Sequence, residues 1–158
     1  MGRITKEQKE KNYHKINSII LAVFLDEGWT SITYDRIARE TGLRKSTLQG
    51  YYPTNSDFLL GIRGHLHDLM IEKLDFSSKE SLITSWNNAL KSKGFNYTID
   101  MFINHVVSRS PSPMALNALT NMACLLRTHF PKEDSKELMI QLFGNAVVHP
   151  LFDNRLES

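Results

Sequence analysis

Apolar residues recur every three or four positions along nearly the whole chain. Period-two alternation is scarce, so the pattern predicts helices throughout and an all-α fold. Tyr13, Ile16, Ile19, Ile20, Val23 and Phe24 make one stripe on a helix over about residues 6–27, and Gly28 closes it. Thr33 suits the N-cap of a second helix, with Ile37 and Ala38 facing inward and Gly42 stopping it after about two turns. Leu43 reads as a buried pivot into a short third helix over about residues 44–51, which Pro53 ends. Thr54 to Asp57 resembles a capping box that opens a fourth helix over about residues 55–73, with Phe58, Leu59, Ile62, Leu66, Leu69 and Met70 on its apolar face.

Asp75 to Ser81 reads as a linker. Beyond it the periodicity predicts four more helices, over about 79–92, 96–109, 114–129 and 134–149. Their apolar positions are Leu82, Ile83, Trp86 and Leu90, then Ile99, Phe102, Ile103, Val106 and Val107, then Leu116, Leu119, Met122, Ala123 and Leu126 with Phe130 just beyond, then Leu138, Leu142, Phe143 and Val147. Lys93 to Asn96 (KGFN) is read as the punctuation after the first, and Ser110 to Pro113 (SPSP) as the break after the second.

Charge is nearly balanced over the 158 residues, with a formal net of +2. Its placement says more: residues 1–73 carry 11 Lys and Arg against 9 Asp and Glu, whereas residues 74–158 carry 8 against 8. The excess gathers in Arg3, Lys6, Lys9, Lys11 and Lys15, as either a solvated helix start or a phosphate-contacting one. Cys124 is the sole cysteine, read as a buried small hydrophobe, and no apolar run reaches the roughly 18 residues of a membrane span. A cytoplasmic protein is the expectation. His65 and His67 lie two apart, about 200° around a helix, and cannot share a metal ion well. No Ser/His/Asp set, metal signature or phosphate loop is visible, so neither a metal, a cofactor nor an enzymatic activity is expected.

A helix, a Gly-containing turn and a second short helix is the helix–turn–helix arrangement. "ITYDRIARETGLRKSTLQGYYPTNSDFL" resembles the DNA-binding domain of the TetR family of bacterial regulators: Thr33 as cap, Ile37-Ala38 at the helix centre, Gly42, Leu43, a short polar helix, Tyr51-Tyr52, and the helix start from Thr54 to Phe58. The chain is short for that family and resembles its LuxT-like members. It departs from the pattern at Arg44, where a small hydroxyl residue often caps the recognition helix, at Gln49, where an aromatic is common, and at Asn55, where a lysine often stands. The expected domains are 1–54, three helices that bind DNA, and 55–158, helices for dimerisation and ligand binding.

The residues themselves suit DNA contact. Arg44, Lys45, Ser46, Thr47, Gln49 and Tyr51 lie on the short third helix and its cap, with Leu43, Leu48 and Tyr52 turned to the core; Arg and Lys can read guanine and Gln can read adenine in the major groove. Thr33 lies at a helix N-terminus, where a phosphate is favoured, and serves as a plain cap in any case. Gly50 either ends the recognition helix early or lets its backbone approach a DNA strand, the second being favoured. The resemblance implies a homodimer on a near-palindromic double-stranded operator, paired through the last two helices, whose apolar faces otherwise close the monomer core. It also implies a cavity for a small apolar effector, for which Trp86, Leu90, Phe102, Ile103, Val106, Met122 and Leu126 are the candidate lining, and repression as the commoner mode. The competing expectation is a helical interaction module whose helix–turn–helix binds protein.

Overall fold

The computed structural model describes residues 3–154, and side chains as far as Pro150. Among these residues eight α-helices and two single 3-10 turns account for the regular structure, and the fold is all-α. The helices are α1 (Lys6–Glu27), α2 (Tyr34–Thr41), α3 (Lys45–Tyr51), α4 (Phe58–Glu72), α5 (Lys79–Ala89), α6 (Lys93–Val106), α7 (Pro113–His129) and α8 (Ser135–Asn154). None is long and apolar enough to cross a membrane, among the described residues.

The chain forms two compact units, residues 1–69 and 70–158. The first unit is built on α1, whose Ile16, Ile20, Val23 and Phe24 are buried together with Ile32, Ile37, Leu48, Tyr52, Phe58, Ile62 and Leu66. The opening part of α4 thus belongs to this core, whereas the sequence placed a boundary at residue 54. Thr5 caps α1 by accepting a hydrogen bond from the Gln8 amide at 3.1 Å. Gly28 ends the helix at φ 85°, a backbone angle that a side chain resists. Thr54 and Asp57 form a capping box over the 3-10 turn Asn55–Asp57, from which α4 continues.

In the second unit Leu74, Leu82, Trp86, Ala89, Leu90, Phe95, Ile99, Leu126, Leu138 and Leu142 make one buried cluster. Ser78 caps α5, Ser112 caps α7 with Pro113 at its first position, and the Asp134 carboxylate accepts the Lys136 amide at 2.8 Å to cap α8.

Four expectations are corrected. Lys93 to Asn96 opens α6 and does not end α5: Ser92 takes the extended N-cap conformation, and Phe95 is buried edge-on against Trp86, centroids 5.2 Å apart. Leu43, in the turn that follows the left-handed Gly42, is half-buried. Cys124 is exposed, since it lies on the α7 face that also carries Leu116 and Thr120, opposite buried Leu126. Val107 is 73% exposed because α6 stops at Val106 and leaves it beyond the apolar face.

Candidate nucleic-acid interface

Local chemistry fixes the short helices α2 and α3. Thr33 is extended, and its hydroxyl accepts from the Arg36 amide at 3.2 Å. Gly42 closes α2 in the left-handed region at φ 72°, and its N–H donates to Ala38 O at 2.9 Å. Thr41 is buried and its hydroxyl donates to Ile37 O at 2.7 Å, while the same hydroxyl oxygen, Thr41 Oγ1, accepts the Leu43 amide at 3.3 Å. The chain therefore turns within Gly42, Leu43 and Arg44 and enters α3.

An eight-residue helix is too short to persist alone. The remainder of its support comes from α1. Arg36 grips Glu27 with two N–H groups, at 2.7 and 2.6 Å, and Glu40 with a third at 2.9 Å. The bond to Arg36 holds the Glu27 carboxyl below its usual value and outweighs the opposing desolvation. Lys15 Nζ donates to Thr41 O at 3.3 Å, at the negative end of the α2 dipole.

The aromatic pair after α3 is anchored in the same way. Tyr51 is half-buried, edge-on to Tyr13 at 4.8 Å, and its hydroxyl accepts from Asn12 Nδ2 at 2.8 Å. Tyr52 is buried, donates its hydroxyl to Asn17 Oδ1, and accepts the Tyr34 hydroxyl on its carbonyl. Burial pushes the Tyr52 phenol up to about 12.

Against this scaffold the polar side chains of α3 stand outward. Arg44, Lys45, Ser46, Thr47, Gln49 and Gly50 are exposed, with Leu48 alone fully buried beneath them. Arg44 caps α3 through its backbone only. Among the described residues the side chains of Arg44, Ser46, Thr47 and Gln49 make no hydrogen bond or ion pair of their own. Lys45 is different: its Nζ lies 2.9 Å from Asp35 Oδ1. The helix runs through Gly50 to Tyr51, so Gly50 does not end it early, and a Cβ added there would meet open space. Thr33 is exposed at the N-terminus of α2. Tyr51 is the one member of the predicted set whose hydroxyl and ring are both already engaged, with α1. Asp35 went unnoticed in the sequence, because a pair spanning the turn leaves no local periodic signal.

In the second unit the candidate lining residues fall around one aromatic centre. Trp86, Leu90 and Leu126 are buried in the cluster, with Ile103 and Met122 half-buried against it. Phe143 joins them, edge-on to Trp86 at 5.5 Å and stacked on Phe102 at 5.5 Å. Val106 is half-buried and falls outside this group. Trp86 Nε1 is buried without a hydrogen-bond partner among the described residues. Leu126, Leu138 and Leu142 are consumed by this core. Among the described residues the large apolar side chains left outward on α7 and α8 are Leu116, Ile140, Val147 and Val148.

The family model of the tetracycline repressor LuxT C-terminal domain matches residues 63–149, more than half of the chain. The chain belongs to that family. The match spans every candidate lining residue of this LuxT-type chain, the whole of α7 and α8 as far as His149, and it begins after α3. A comparison with curated proteins gave no match.

Proposed function

We propose that this LuxT-type chain is a sequence-specific DNA-binding transcriptional regulator that works as a homodimer, answers a small apolar effector and acts by repression. The observation that carries the reading is the outer face of α3. Four polar side chains, Arg44, Ser46, Thr47 and Gln49, are held outward by a helix braced from α1, and no described residue pairs with them. Orphaned base-reading side chains on a rigid helix are what major-groove recognition requires. Gly50 adds support, since a glycine inside a helix is unfavourable by about 1 kcal/mol against Ala and nothing in the chain needs it there.

Supporting the dimer, Ile140, Gly144, Val147 and Val148 recur at helical spacing along the outer face of α8, and Leu116 is exposed on α7. Supporting the effector, the Trp86 indole offers one buried donor within an aromatic setting, which suits an apolar molecule bearing a single acceptor.

Selection of bound fragments from a random duplex library tests the reading. A near-palindromic consensus is expected, bound less tightly as salt rises. Combined substitution of Arg44, Lys45 and Gln49 by Ala is expected to abolish selection; unchanged DNA affinity in that variant overturns the assignment of α3.

A further inference from the structure

Asp35 and Lys45 face one another across the turn between α2 and α3, with Oδ1 and Nζ 2.9 Å apart. Asp35 lies in the first turn of α2, two residues beyond the Thr33 cap, and its side chain is 83% exposed. Lys45 is the first residue of α3 and is 52% exposed. The pair is open to water and thus easily exchanged, unlike the Arg36 clamp with its three donors engaged. A carboxylate here sets a negative charge beside a helix N-terminus that would otherwise welcome a phosphate, and it occupies a cation of the reading helix.

We infer that Asp35 is a specificity-determining residue of the DNA interface. It holds Lys45 back from sequence-independent phosphate contact, and it yields Lys45 only where the other side chains of α3 engage matching bases. Discrimination then comes from weakening the wrong complex as well as from strengthening the right one. The inference rests on the DNA-reading assignment of α3.

The test measures binding of the full chain to its selected site and to a scrambled duplex of equal length, across a range of salt. Asp35→Asn is expected to tighten binding to the scrambled duplex by roughly threefold to tenfold and to steepen its salt dependence by about 0.9 in logarithmic slope for each added phosphate contact, about 1.8 for the two protomers of the dimer. Binding to the selected site changes less, so the ratio between the two falls. In a Lys45→Gln background the effect of Asp35→Asn disappears if Asp35 acts through Lys45. Asp35→Ser, which also suits a first helical turn, repeats the measurement should the Asn variant fold poorly. Equal changes on both duplexes, no change on either, or an undiminished effect without Lys45 overturns the inference while leaving the DNA reading intact. A wild-type chain that binds neither duplex overturns both.

Discussion

The hydroxyl of Tyr52 donates to the side-chain oxygen of Asn17 directly over Gly61, so α1, the end of α3 and α4 meet at one point. A Cβ built on Gly61 would lie 2.8 Å from Asn17 Cγ and 2.9 Å from the Tyr52 hydroxyl, inside contact distance. Gly61→Ala is expected to destabilise the fold by about 1–3 kcal/mol through overpacking, read from urea unfolding. Adding Asn17→Ala removes the nearer of the two obstructing groups, so the double variant is expected to lose less than the sum of the two singles. Strict additivity would place the strain elsewhere.

The Glu27–Arg36 bond predicts an acid-sensitive brace. Because the Glu27 carboxyl titrates below its ordinary 4.5, its contribution is complete above that value and is lost as pH falls through the lowered one. Glu27→Gln is expected to lower Tm at neutral pH, with the gap to the wild type closing as pH falls through the lowered Glu27 value. A gap that persists undiminished in acid would show that the carboxylate charge is not what braces α2.

Gly50 separates stability from binding. Gly50→Ala adds a methyl group into open space within the chain and is expected to raise unfolding stability by up to about 1 kcal/mol. The same variant is expected to bind the selected DNA site about tenfold more weakly if the α3 backbone lies close to a strand. Equal or tighter binding would remove close approach as the reason for the glycine.

The outward apolar row of α8 predicts where assembly fails. Val147 and Val148 are 58% and 43% exposed, so Val147→Glu with Val148→Glu leaves the core untouched. Sedimentation is expected to show the wild type as the proposed dimer and this variant as folded monomers at the same concentration. Leu142→Ala, by contrast, truncates a fully buried side chain and is expected to destabilise the fold by about 2–5 kcal/mol. A double-Glu variant that remains dimeric would move the interface off this face.

What the sequence made legible were the features whose cause is local. The Thr33 cap, the stops at Gly28 and Gly42, the Thr54–Asp57 box and the long stripe of α1 all follow from one residue and its near neighbours. The polar face of α3 was legible for the same reason, since Leu48 alone among Arg44 to Gln49 is apolar. The start of α6 was not. Gly94 and Asn96 look like a break, yet the first turn of a helix tolerates them, and burial of Phe95 against Trp86 carries the helix through. Nor was the exposure of Cys124 legible, because a stripe of three- and four-residue spacings does not say where its edge lies. The Asp35–Lys45 pair and the grip of Arg36 on Glu27 cross between elements, and no periodic pattern encodes them.

The braces on α2 and α3 bear on how portable this pair of helices is. Glu27, Lys15, Asn12 and Tyr13 are all residues of α1, and together they hold Arg36, the end of α2 and Tyr51. Transplanting only the stretch from Thr33 to Tyr52 onto a foreign scaffold would leave each of those partners behind. A cassette that keeps those partners begins upstream, before Asn12, and a chimera joined beyond them would inherit the letters of α3 without its posture.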